Sequence, residues 1–404
     1  MARDLRLFYF FRLFSASYLF VPVAVVFAES RGLSYVEVML LSTIYCAVVI
    51  LTEVPTGALA DRFGRRITMM AGALAMVAAC VTYAFADGFA GFAVAEALAA
   101  LSMTLCSGAD SAYLFDLLNE HGRGDEYPRR EGTASAWHQA GQALAFLAGG
   151  ALGASNLAWP YLATAGVASV AFFIALFMRE GGAPRRASLA PRETLHHMRD
   201  SLRVVLRRGP LLWAIAYSAI VFLMLRATMY VYQPYLKASG FSIAQTGMVF
   251  AAVYLVAAAV AHNFDSLRAR FTEASLVWVL LGTLVVTFFV LGNIRGPVAL
   301  VVMGIQAAAN GLYSPLVKLM LQREIAESHQ RATVLSIESM ARRLALGLFS
   351  PALGGVMDAW GPGPGLMLCG LAGLVGMVAL SASLRREARV AAALEVAPQP
   401  SRPD

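Results

Sequence analysis

The chain has 404 residues, of which 59% are hydrophobic and 14% charged, with a net charge of +7 and a mean hydropathy of +0.64. A soluble protein of this length carries about a quarter charged residues, so the composition excludes a soluble globular domain and indicates a polytopic membrane protein. In a soluble chain this positive balance would suggest nucleic acid; here it fits Lys and Arg gathered in loops on one side of a bilayer.

A bilayer-crossing helix needs about 20 mostly apolar residues. Twelve segments meet that rule, at 7–28, 36–59, 67–86, 89–115, 132–154, 158–178, 210–232, 241–261, 274–293, 297–321, 332–357 and 362–384. The first follows Met1-Ala2-Arg3-Asp4-Leu5-Arg6, has no cleavage site, and is too long for a signal peptide core, so it reads as a retained span. Alternate loops differ sharply in charge. One set holds Asp61-Arg62 with Arg65-Arg66, then Arg123, Arg129 and Arg130, the stretch after Arg179, Arg268 and Arg270, Arg323 to Arg331, and Arg385-Arg386. The other set holds little beyond Arg31, Lys237 and Arg295. The positive-inside rule then puts both termini in the cytoplasm, expected of a multi-pass protein of a bacterial cytoplasmic membrane.

The basic segment 179–209 divides the spans six and six, giving bundles at 1–178 and 210–384. Leu195, Met198, Leu202, Val205 and Leu206 recur at helical spacing within it, the pattern of an amphipathic helix on the membrane surface. Residues 385–404 end in a Pro-rich run and read as a disordered tail. The halves echo each other. Asp110 and Tyr113 of span four match Asn310 and Tyr313 of span ten, Asp265 to Arg270 sits after span eight as Asp61 to Arg66 sits after span two, and Gly149-Gly150 matches Gly354-Gly355. Such internal repeats are common in transporters.

Four cysteines lie in apolar segments without metal or disulfide spacing. No phosphate-binding loop is present: Gly361 to Gly365 follows no strand and precedes no Lys-Ser/Thr. No nucleophile–base pair or metal cluster marks an enzyme, so no cofactor is expected and an intramembrane enzyme is a remote alternative.

Gly57, Asp61, Arg62, Gly64, Arg65 and Arg66, in the spacing G-x-x-x-D-R-x-G-R-R between spans two and three, resemble the loop signature of the major facilitator superfamily (MFS). That resemblance implies an all-α fold of two six-helix bundles related by pseudo-two-fold symmetry, rocking around a central cavity. It further implies a gate. Asp61 would dock at the start of span eleven, near residues 331–333, where a helix N-terminus favours an anion, and Asp116 would pair with Arg65. Without the resemblance, these charges read equally as a solvated turn. Gly132, Gly141, Gly149 and Gly150 fall at the offsets of a helix-packing pattern in drug:proton antiporters, with Ala145-Phe146 in place of its Gly-Pro. Glu96 stands where the family often has an arginine.

Ionisable groups inside spans cost at least a few kcal/mol and are functional candidates. Here they are Glu53, Glu96, Asp110, His138, Arg226, Lys318, Glu338, Arg342 and Arg343. Glu96 and Arg226 are expected to face each other across the cavity, as are Asp110 and Lys318. Glu338 and Arg342 are four apart, a local ion pair that leaves Arg343 freer. Glu96 and Asp110 lead as proton carriers, followed by Glu53 and Glu338; a structural ion pair is the competing reading of each. His138 reads as a helix-interface residue. Asn310, Tyr113 and Tyr313 are cavity candidates with the cationic set. The expected activity is proton-coupled efflux of a small amphipathic compound by a monomer. The alternative is uptake or facilitated transport of an anionic metabolite, drawn by Arg226, Lys318, Arg342 and Arg343. The expected partners are small molecule, proton and bilayer, without nucleic acid.

Overall fold

The computed structural model describes residues 1–180, 208–324 and 328–396. All its regular elements are helices. The amphipathic segment 191–206, most of the basic linker and residues 397–404 lie outside the described residues.

Nine of the described helices are long and apolar enough to cross a membrane: Tyr35–Phe63, Arg65–Phe85, Gly88–Glu120, Trp159–Phe177, Gly209–Ala238, Ile243–His262, Glu273–Asn293, Val298–Glu324 and Pro362–Arg385. Three more complete the twelve. Span one runs as Ala2–Ser15, Val21–Val23 and Ala24–Ser30, pieces too short singly. Spans five, Tyr127–Ser155, and eleven, Ser328–Trp360, carry polar side chains and glycines that lower their hydropathy. Span one thus begins five residues before the apolar run at 7, and it breaks near Pro22. Span four is also interrupted, at Gly108, whose φ of +82° is a backbone state that favours glycine. Span twelve continues as helix through Val396, past position 385, where the sequence reading began an irregular tail.

The spans form two bundles. The C-terminal half packs around one apolar core that includes Tyr217, Met224, Leu284 and Phe288. The N-terminal half has two cores. One surrounds Phe27, Tyr83, Phe92 and Tyr161, and the other surrounds Phe8, Phe11, Met69 and Tyr113. Outward-facing Leu51, Phe85, Leu348 and Trp360 are each more than 70% exposed, which suits helices surrounded by lipid. Lipid tails are as apolar as leucine, so close approach of small residues drives packing instead. Gly72 shows this in span three, where its carbonyl accepts a 2.7 Å hydrogen bond from Ser102 of span four.

The N-terminus, the turn between spans two and three, and the chain on either side of 181–207 share one face, here the basic face; the opposite one is the far face. The contacts between the halves at Gln233, Lys237, Asp358, Phe146 and Arg343 lie at the far face or at mid-depth. At the far face, Gln233 of span seven accepts from Val25 N (2.8 Å) and donates to Val21 O (2.9 Å), and Lys237 lies 3.4 Å from Glu29. The Asp358 carboxylate at the far end of span eleven accepts from the backbone of Tyr35 (2.8 Å) and Val36 (2.9 Å), capping span two from across the seam.

Two glycine seams join the halves. At Gly150 of span five, a β-carbon would lie 2.7 Å from Gly247 Cα of span eight. At Gly354 of span eleven, one would lie 2.6 Å from Val36 Cα of span two. These are the duplicated glycine pairs, and each closes an equivalent seam. Gly141 and Gly149 pack inside the N-terminal half, against Leu13 O and Leu19 O of span one. Gly132, expected to serve packing as well, faces open space. Phe146, one residue of the pair replacing Gly-Pro, meets Phe250 and Tyr254 of span eight with centroids at 5.9 and 5.7 Å. The pattern has become an aromatic seal.

Candidate functional site

At the basic face, span two ends where Gly64 takes a φ of +104°. The Glu180 carboxylate fills the space a side chain would need there, and it also accepts from Arg66 N at 3.3 Å. Arg66 donates to Met178 O at 3.0 Å, fastening the turn to the end of span six. Arg62 lies over the Phe63 ring at 5.3 Å. Arg65 stands between two acids, with Asp61 at 2.7 Å and Asp116 at 3.7 Å. The side chains of 331–333, the expected dock for Asp61, lie outside the described residues. Nothing lies within 4 Å of a β-carbon built on Gly57, so span two is open on that side.

Deeper in, each half carries a polar cluster at similar depth. Arg12 lies roughly 15 Å along span one from Ala2 at 1.5 Å per residue. It donates to Asp110 of span four and lies 3.9 Å from Glu131 of span five. Ser111 donates to Glu131 at 3.1 Å. Asp110 is therefore paired within its own half, not with Lys318, whose side chain is exposed on span ten. A cation ten helical residues deep on the neighbouring span one is the closer partner.

In the C-terminal half, Ser218 donates to Glu338 and shares a 2.8 Å hydrogen bond with Tyr313. Arg342 lies 2.9 Å from Glu338 and over the Phe222 ring at 5.0 Å. The four-residue spacing thus makes a local pair. Tyr313 belongs to this buried network, and Tyr113 is 1% exposed and stacked on Phe8 at 5.9 Å. Neither ring lines an open cavity, because both point into their own bundles. Asn310, one helical turn from Tyr313, is half-buried, and so is His138 on span five.

Between the halves lies a charged crevice. Arg226 of span seven is exposed at mid-span, and Glu96 of span four is its electrostatic neighbour. Tyr45 of span two feels both of them and Arg343 of span eleven. An exposed arginine in mid-membrane requires a water-filled space. Nearer the basic face, Glu53 of span two faces Arg343 and Arg342. Glu53 Oε2 and Arg343 Nε are buried without hydrogen-bond partners among the described residues. Arg343 reaches across the seam, but its terminal nitrogen meets Met103 Sδ of span four at 3.9 Å, a weak acceptor.

Arg12, Glu131, Glu180 and Asp358 escaped the sequence reading. Arg12 lies inside the first apolar run and carried a signal. Because the helix begins at Ala2 and not at 7, it lies ten residues deep in the span. Asp358 carried none, since its partner is a backbone more than 300 residues away.

Two helical bundles related by an internal repeat, touching at one face and at mid-depth around a charged crevice, define a membrane transporter of the alternating-access kind. The chain belongs to the Major Facilitator Superfamily, whose family model matches residues 7–347. It is a secondary transporter of that family, not an enzyme. Solved structures share the fold at low identity. The nucleoside transporter NupG superposes with a TM-score of 0.80 at 11% identity, covering 95% of this chain and 99% of its own. The peptide transporter POT gives 0.74 at 16%, covering 95% and 94%. A D-xylose–proton symporter gives 0.66 at 16%, covering 92% and 95%. No curated protein matches the sequence.

Proposed function

We propose that the chain exports a small molecule across a bacterial cytoplasmic membrane in exchange for protons, with the basic face in the cytoplasm. The observation that carries this reading is the Glu96–Arg226 neighbourhood in the crevice. A carboxylate whose charged neighbour among the described residues is one arginine on the opposing bundle can exchange that arginine for a proton as the bundles move. The arginine and the proton then compete for the one carboxylate as the crevice opens and closes. The partial antiporter glycine pattern supports export over import. Asp61, Arg65 and Asp116 would latch the cytoplasmic face once the crevice opens outward, and the open flank of Gly57 is where span eleven would then pack.

The test is Glu96→Gln in proteoliposomes. The variant is expected to keep substrate exchange across the membrane but to lose accumulation driven by a pH gradient. Gradient-driven accumulation at the wild-type level would remove Glu96 from the coupling step. Uptake of an anionic metabolite is the second reading, favoured by the exposed Arg226 and by Arg343, and a direct assay of anions with an inward gradient separates the two.

A further inference from the structure

We infer that the transported compound is a zwitterion, with its anionic end on Arg343 and its cationic end on Glu53. The inference rests on the transport reading and adds the substrate class. Among the described residues, four crevice charges form no ion pair. Arg226 and Glu96 face each other at mid-depth, and Arg343 and Glu53 face each other nearer the basic face. The neighbouring Arg342 is already paired with Glu338 at 2.9 Å, so it is balanced within its own bundle.

Glu53 and Arg343 differ from such a balanced pair. They sit on opposite bundles and form no ion pair with each other, and among the described residues each keeps a buried polar atom without a hydrogen bond, as Arg342 Nε also does despite its ion pair. A buried charge left uncompensated is costly. When the bundles close over a ligand and expel water, an anion would satisfy Arg343 and leave Glu53 bare, and a cation would do the reverse. Only a ligand carrying both charges satisfies both residues, and the desolvated orphan rejects the singly charged analogues. Tyr45 and Met103 border Arg343 and would hold the hydrocarbon between the ends. The competing outcome is that Glu53 and Arg343 simply pair on closure, which needs no charged ligand.

The experiment uses the full-length purified protein in nanodiscs. Binding is measured for straight-chain ω-amino acids from glycine to 8-aminooctanoate, and for the amine and the carboxylate of each length. One zwitterion length is expected to bind about tenfold or more tighter than its amine and its carboxylate. Glu53→Gln should weaken the zwitterion and the amine but not the carboxylate, and Arg343→Gln should weaken the zwitterion and the carboxylate but not the amine. Equal binding of all three classes at every length, no zwitterion binding at millimolar concentration, or equal losses for all three classes in both variants would each overturn the proposal. If a variant does not fold, the wild-type panel decides. Binding needs no gradient, so selective zwitterion binding without proton-driven accumulation would contradict proton-coupled export and leave the zwitterion assignment standing.

Discussion

Replacing Gly150 by alanine should open the far face. The new β-carbon would lie 2.7 Å from Gly247 Cα, 3.0 Å from Gly247 N and 3.1 Å from Ile243 O. All three are backbone atoms, so no side chain can rotate away. Ordinary contact begins at 3.4 Å, so spans five and eight must part by about 0.7 Å, within the range where overpacking costs about 1–3 kcal/mol. That cost falls on the far-closed state alone, because the seam is between the halves. The far-open population should therefore rise by between about 5-fold and about 150-fold. Gly149→Ala is the control. Its β-carbon would press on Leu19 O within the N-terminal half, so it should lower the melting temperature without shifting the conformational balance. The assay is labelling of Thr246→Cys by a membrane-impermeant maleimide, with the four native cysteines replaced. Thr246 is 5% exposed beside the seam and should label slowly in the parent and faster with Gly150→Ala. Unchanged labelling in a folded Gly150→Ala protein would refute the seam as a conformational contact.

Three further substitutions follow from the geometry. Asp358→Ala removes the cap that span eleven supplies to span two, a loss of about 1 kcal/mol; the same labelling assay should show a shift smaller than that of Gly150→Ala, and labelling at the parent rate contradicts the cap as a contact of the far-closed state. Arg12→Gln leaves Asp110 and Glu131 without their cation and should lower the melting temperature substantially, since removing one partner of a largely buried pair costs about 3–5 kcal/mol; adding Asp110→Asn should recover part of the loss, and strict additivity of the two changes would show that they do not interact. Asp61→Asn should reduce flux at unchanged membrane abundance, and full flux at equal expression removes Asp61 from the gate.

Much of the fold is legible in the sequence because span number depends on local hydropathy and on little else. The local pair of Glu338 and Arg342 is legible for the same reason, since it needs only the helical period. Pairings between helices are harder, because they depend on which spans are neighbours and how each is rotated. Asp110 illustrates this: its depth on span four allowed Lys318 as partner, but span one brings Arg12 against it. Tyr113 and Tyr313 sit at repeat-equivalent positions on cavity-lining spans, yet rotation turns both rings into bundle interiors. Phe146 was legible as a departure from a glycine pattern, but not as a contact, because Phe250 and Tyr254 lie on the other half. The charged crevice falls between these cases. Its residues stood out as costly intramembrane charges, and only the packing shows that Glu53 and Arg343 face each other without bonding.

The most direct measurement is proton movement by the wild-type protein in proteoliposomes carrying an entrapped pH dye. Adding a zwitterion of the preferred length to one side should move protons toward that side as the compound moves away from it, and an imposed pH gradient should drive the compound against its own concentration gradient. Flux of the compound with no dye response, and no effect of an imposed gradient, would contradict proton-coupled exchange.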